Sequence, residues 1–175
     1  MKTSISPHDK AFAPAPVGLS AGRRRALIAC ALAAAAPGLA VAQFRSDRSG
    51  PLVEVWKSPT CGCCKDWIEH MEAAGFRIEV DDSGNTAARA RLGIAQKFGS
   101  CHTALVGDYA IEGHVPASEV RRLLEERPKA VGLAVPGMPI GSPGMDGPAY
   151  GGRQDPYDVL LVQADGSSAV YRSYR

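Results

Sequence analysis

Alternation of apolar and polar side chains begins at Leu52 and runs through Lys57, which predicts a strand. Ser58-Pro59-Thr60 breaks it. From Lys65 to Ala74 the period changes, with Trp67, Ile68, Met71 and Ala74 at helical spacing and Gly75 as the stop. Phe76–Val80 alternates again, Asp81–Asn85 is a turn, and Thr86–Leu92 is a short helix closed by Gly93. Thr103–Val106 and Tyr109–Glu112 are two more strands, hinged at Gly107-Asp108. Pro116 opens a further helix, which turns Val120, Leu123 and Leu124 inward and ends before Pro128. Residues 131–152 are rich in glycine and proline and are expected to form one long loop. Tyr157–Gln163 and Ser168–Arg172 flank Asp165-Gly166 as a terminal hairpin. Trp56, Trp67 and Phe76 are expected in the core, His70 on the solvent side of its helix, and Asp81-Asp82 in a solvated turn.

The resulting order is strand, helix, strand, helix, strand, strand, helix. It defines an α/β fold with a thioredoxin-like β-α-β-α-β-β-α core, followed by the long Gly/Pro loop and a C-terminal β-hairpin. In that layout the loop after the first strand and the start of the next helix lie against the loop entering the third strand. Ser58–Cys64 and Ser100-Cys101-His102 are therefore expected to meet, although 37 residues separate Cys64 from Cys101.

The first 42 residues follow no such pattern. Arg23-Arg24-Arg25 precedes an apolar run from Ala26 to Ala36, and Ala40-Val41-Ala42 is a small-residue cleavage signature. This reads as a cleavable export signal over residues 1–42, by the secretory or the twin-arginine route, with a flexible leader at 43–50 and the folded domain at 51–175. The apolar run is too short to span a bilayer as a stable helix, so no membrane span is expected after cleavage. The destination is the periplasm. Charge supports a neutral exported domain. Of 20 basic and 18 acidic side chains, five and one lie in residues 1–42, which leaves 15 against 17, or −2. Nucleic acid is thereby excluded as a partner for want of a basic footprint.

Cleavage also removes Cys30 and leaves Cys61, Cys63, Cys64 and Cys101. An exported chain with four cysteines suggests disulfides. Adjacent Cys63 and Cys64 do not suit one another, because a disulfide needs Cα atoms at least about 4.4 Å apart. Cys61 and Cys64 have the C-x-x-C redox spacing, whereas Cys61 and Cys63 form a tight chelate. A helix N-terminus favours thiolate, the form that both attacks disulfides and binds metal. Two thiols suffice for disulfide exchange, yet four converge here. That excess favours a soft cation such as Cu(I), in a multinuclear arrangement if sulfur bridges, with zinc as the lesser alternative. Thioredoxin-like enzymes carry a proline where the third strand begins, whereas this chain has Cys101-His102.

Several segments together are distinctive: Ser58-Pro59-Thr60-Cys61-Gly62-Cys63-Cys64-Lys65, Ser100-Cys101-His102-Thr103, Glu112-Gly113-His114-Val115-Pro116 and Gly132–Pro139. With Gly141–Met145 and Asp155–Val159 they resemble the CopG-type copper-resistance family, catalogued as a metal-binding domain of unknown function. The resemblance spans roughly residues 52–172. It implies a periplasmic thioredoxin-like protein that holds copper on Cys61, Cys63, Cys64 and Cys101 and contributes to copper tolerance by sequestration, transfer or redox conversion. A copper exporter or copper oxidase would be its partner. His102, His114, Met138 and Met145 correspond by position. His102 either ligates or tunes copper, or caps the start of its strand. His114 either faces the site or bonds its own loop. Met138 and Met145 offer soft thioethers, or form an apolar lid. The alternative functions are a thiol–disulfide oxidoreductase using Cys61 and Cys64, and a structural zinc domain.

Overall fold

A computed structural model describes residues 50–175. The proposed export signal at 1–42, and the leader up to residue 49, lie outside the described residues. Seven strands form one sheet in the order β2-β1-β3-β4-β5-β6-β7. Strand β1 (Leu52–Lys57) leads into α1 (Gly62–Ala73), which returns the chain to β2 (Arg77–Asp81), parallel to β1. Helix α2 (Thr86–Arg91) and a short 3-10 turn (Gln96–Phe98) precede β3 (His102–Val106), antiparallel to β1, and β4 (Tyr109–Glu112), antiparallel to β3. Helix α3 (Ala117–Glu126) follows. This is the thioredoxin-like order expected from the sequence.

The expected long loop begins differently. Gly132–Ala134 is a strand, β5, parallel to β4 and antiparallel to β6 (Tyr157–Val162), which pairs with β7 (Ser168–Tyr174). The C-terminal hairpin therefore extends the central sheet. Three residues that include a glycine are too few to display an alternating pattern. Gly132 is required there, because a Cβ would fall 1.7 Å from the Ala110 carbonyl oxygen of the neighbouring strand.

Strand alternation sorts the side chains onto two faces. On one, Val53, Val55, Ala104, Val106, Ile111 and Leu133 pack against Trp67 and Met71 of α1 and Val120 and Leu123 of α3. On the other, Ala110, Ala134 and Val162 pack against Ile94 and Phe98 after α2. Trp67 is fully buried, and its indole N–H donates to the Val115 carbonyl at 2.9 Å, so its polar edge is satisfied.

Two expectations need correction. Trp56 lies on the face opposite Val53 and Val55 and is half-buried, with the Arg91 guanidinium 4.8 Å over its ring. His70 is half-buried, not turned to solvent. Its Nε2 accepts the Ala117 N–H at 3.0 Å, satisfying one of the free donors at the start of α3. The acidic turn is exposed, as expected, and within it Asp82 pairs at 2.6 Å with the buried Lys57 ammonium, which anchors the turn to the end of β1.

Candidate metal centre

Cys61 sits at the N-cap of α1, and Cys63 and Cys64 occupy its first turn. Cys101 directly precedes β3. The sheet register brings the two together, because Lys57 at the end of β1 pairs with His102 at the start of β3. All four Sγ atoms lie within 4.8 Å of one another. Cys61 and Cys64 are joined as a disulfide, while Cys63 and Cys101 are free. Cys63 Sγ is 3.6 Å from Cys61 Sγ and 3.8 Å from Cys101 Sγ, and Cys64 Sγ is 3.4 Å from Cys101 Sγ. Two sulfurs on one tetrahedral metal, each bonded at about 2.3 Å, stand about 3.8 Å apart. Apart from the bonded Cys61–Cys64 pair, these separations are close to those of a thiolate metal site.

Cys101 is the centre of this arrangement. Besides its sulfur neighbours, it has His102 Nδ1 at 3.4 Å and His114 Nε2 at 3.1 Å. Burial, then the charge of Cys63, pushes the Cys101 thiol up to about 12, so without metal it is a neutral thiol. Both imidazoles are buried, and burial holds each below the usual histidine range. They are therefore neutral, the form that binds metal. The His102 ring rests on Trp67, with centroids 4.3 Å apart, and meets the edge of His114 at 5.1 Å. His114 Nδ1–H donates to the Pro143 carbonyl at 2.8 Å, which fixes the tautomer and leaves the Nε2 lone pair facing Cys101.

The two methionines separate. Met138 is half-exposed with its Sδ 4.0 Å from Cys63 Sγ, on the rim of the cluster. Met145 is buried, and its thioether accepts the Tyr150 hydroxyl at 3.3 Å. Its segment packs hard on α1. A Cβ on Gly144, at φ +83°, would stand 2.6 Å from the Cys63 carbonyl oxygen and 2.8 Å from the Trp67 nitrogen.

Sequence reasoning missed the layer that holds Cys101 in place. Thr103 faces α2, opposite to His102, and pairs across the ladder with Glu112. The Glu112 carboxylate is fully buried. It accepts from Arg89 Nε at 2.8 Å, the Ser100 N–H at 2.7 Å and the Thr103 hydroxyl at 2.6 Å. Arg89 and Asn85 in turn donate to the Ser100 carbonyl at 2.6 and 3.2 Å. Both backbone groups of the residue before Cys101 are thus clamped. The Ser100 hydroxyl donates to the Gly137 carbonyl, which ties the Met138 loop to the same point. The signal was present in the sequence as opposite charges on two inward faces, Arg89 beside Ala88 and Glu112 after Ile111.

A groove at the other end of β1 and β3, lined by residues that include Leu52, Glu54, Leu105, Tyr109 and Arg127, contains no cysteine or histidine. Among the described residues, no helix is long and apolar enough to cross a membrane.

The family model "Protein of unknown function, DUF411" matches residues 98–145, which hold Cys101, both buried histidines and both loop methionines. Two solved structures are similar to this chain. "Copper resistance protein copG- Form 2" has 42% identity and a TM-score of 0.66, covering 72% of this chain and 99% of its own. "Copper resistance protein copG- Form 1" has 44% identity and a TM-score of 0.65, covering 70% and 96%. No curated protein matches.

Proposed function

The chain belongs to the CopG-type copper-resistance family, and on that premise we propose that it is an exported copper-binding protein that holds Cu(I) on Cys61, Cys63, Cys64 and Cys101. One observation carries the reading: four sulfurs from two distant segments lie mutually within 4.8 Å. Soft thiolates select Cu(I), and sulfur can bridge, so the pocket takes more than one ion. Loading requires the Cys61–Cys64 disulfide to be reduced by an external dithiol, which gives up two electrons and two protons and is itself oxidised to a disulfide. Copper then displaces the protons of the remaining thiols, Cys101 among them. Met138 supplies a thioether at the rim, and Met145 belongs to the lid. The protein sequesters copper in the periplasm, passes it to an exporter or oxidase, or supports its redox conversion.

The test is anaerobic titration of the reduced protein with Cu(I) against a chromophoric competitor. The expected result is more than one copper per chain, with sulfur-to-copper absorption in the ultraviolet. No binding tighter than about nanomolar, roughly −12 kcal/mol, overturns the reading.

The disulfide itself supports a second reading, a thiol–disulfide oxidoreductase working through Cys61 and Cys64 at a helix N-terminus. Reduction of insulin that persists in Cys63→Ser and Cys101→Ser variants would favour it. Loss in either variant argues for the four-sulfur site.

A further inference from the structure

Helix α1, which carries three of the cysteines, is tied to the start of α3 by one imidazole. His70 lies on α1 beyond the cysteine turn and is half-buried. Its Nε2 accepts the N–H of Ala117, the first residue of α3, at 3.0 Å. Pro116 at the N-cap makes no side-chain bond to that helix start, so the cap comes from another element. We propose that this bond is a proton-sensitive joint: it closes only while His70 is neutral, and acid opens it, loosens the lid loop and the His114 turn, and speeds copper exchange at the metal centre. The joint stands on its own geometry, and only its consequence for copper rests on the copper–thiolate reading.

A ring nitrogen that accepts an N–H carries no proton of its own. Protonation turns Nε2 into a donor aimed at a donor, and sets a cation against the positive end of the α3 dipole. The surroundings offer little in return. Asp146 of the lid loop favours the protonated ring, but burial outweighs it and holds His70 below the usual histidine range. On α3, Glu119 is turned to the Tyr174 hydroxyl, and Arg121 to the Ala74 carbonyl and the Phe76 ring. On α1 itself, Lys65, Asp66, Glu69 and Glu72 are exposed to solvent. The proton is therefore accommodated only where Ala117 has moved away.

Three contacts carry that movement to the metal centre. Ala117 follows His114 closely, through the fully buried Val115 and Pro116. Asp146 Oδ1 accepts the Gly144 N–H at 3.1 Å, so drawing that carboxylate toward a charged His70 loosens the lid turn. The same turn carries the Pro143 carbonyl that orients His114, and its Gly144 lies against the Cys63 carbonyl. Once released, the imidazole has an ordinary pKa of about 6.5, so the open form is favoured about tenfold more at pH 5.5 than at pH 7.5. The sign follows from the depressed value in the closed form: the closing contribution is fully present above about 6.5 and is lost as pH falls below it.

The test is amide hydrogen exchange of the metal-free protein, read by mass spectrometry and corrected for the intrinsic pH dependence of exchange. Peptides covering residues 113–120 and 140–147 are expected to open about tenfold more at pH 5.5 than at pH 7.5. In His70→Gln the amide oxygen accepts the Ala117 N–H at either pH, and the ratio is expected to stay below about twofold. His102 and His114 are intact in that variant, so their own titration is controlled for. No rise in wild type, or an equal rise in both proteins, overturns the proposal. Should His70→Gln fail to fold by circular dichroism, the Ala117 amide of wild type is followed by NMR against the His70 ring. Protection that falls as the ring takes its proton supports the joint, and protection that stays level across that titration overturns it. The copper consequence is read from Cu(I)-loaded protein giving up its metal to a chromophoric chelator. Between pH 7.5 and 5.5 that rate is expected to rise about tenfold more in wild type than in His70→Gln, and an equal rise overturns the link to the metal centre. A chain that shows the exchange switch but binds no Cu(I) loses the thiolate reading and keeps the joint.

Discussion

Replacing Glu112 tests whether the buried ion pair holds the metal site in shape. The carboxylate accepts three hydrogen bonds and is inaccessible to solvent, and its partner Arg89 is itself buried. Glu112→Ala leaves that guanidinium charged and unpaired, a loss of about 3–5 kcal/mol. It also strips the Ser100 N–H and the Thr103 hydroxyl of their acceptor. Glu112→Gln keeps the outline. One amide oxygen still serves Arg89 and Ser100, and the amide nitrogen can donate to Thr103. Only charge assistance is lost, which costs about 1–2 kcal/mol. Burial raises the Glu112 carboxyl above its ordinary value, while hydrogen bonds from Thr103, Ser100 and Arg89, with the arginine's charge, pull it back. Urea unfolding of metal-free protein measures both losses, and Cu(I) competition measures the site. The expected pattern is a large stability loss and weakened, lower-stoichiometry copper binding in the alanine variant, with both largely retained in glutamine. An alanine variant that unfolds like wild type, or that loses stability but binds copper with unchanged affinity and stoichiometry, refutes the idea that this pair positions Cys101.

Two further outcomes are expected. Burial lowers His70, His102 and His114 in the folded chain, so the unfolded chain binds more protons as pH falls through about 6.5. Stability is present above that value and is lost below it, by up to about 1.4 kcal/mol per pH unit for each histidine. Denaturant midpoints of metal-free protein that are equal at pH 7.5 and 5.5 would contradict this. Gly144→Ala places a Cβ against the backbone of α1 and forces a left-handed conformation on alanine. It should cost about 2–4 kcal/mol and weaken metal binding, because the Pro143 carbonyl that orients His114 moves with the loop. A loss below about 1 kcal/mol would show that the loop yields there.

What could be read from the sequence, and what could not, follows the range of the interactions. Trp67 and Met71 declared their helix face because burial and period coincide in α1. The meeting of Cys101 with the first cysteine cluster followed from strand order alone. Trp56 was misplaced because hydrophobicity does not say which face of a strand is inward. Only the neighbouring Val53 and Val55, with the buried stem of Lys57, decide it. Strand β5 was hidden because its pairing is set by Ala110 on one side and Val162 on the other, neither local to it. Arg89 and Glu112 gave a signal only through their places beside Ala88 and Ile111, since their partnership exists only after β4 has been laid beside β3 and α2 has folded over both. The state of Cys61 and Cys64 was not legible, because C-x-x-C spacing serves disulfide and metal equally.

The two halves of the metal centre are built on different principles, and the difference bears on how the protein works. Cys61, Cys63 and Cys64 share one turn at the start of α1, where a bond between two of them involves only that turn. Cys101 has no such freedom. Ser100 before it is clamped through both backbone groups, and His102 after it is locked into the ladder opposite Lys57 and stacked on Trp67. A reactive half thus faces a rigid one. Rigid placement of a thiol that burial keeps protonated means that metal, not spontaneous ionisation, draws off its proton. Copper uptake should therefore release protons and strengthen as pH rises, even though the histidines beside the site are already neutral. The same rigidity explains why an ion pair was buried beneath the cysteine loop at all. Such a pair is a poor source of stability, since its desolvation largely cancels its attraction. Its value here is positional: it fixes the Cys101 sulfur beside the Cys61–Cys64 pair, which can be joined or open.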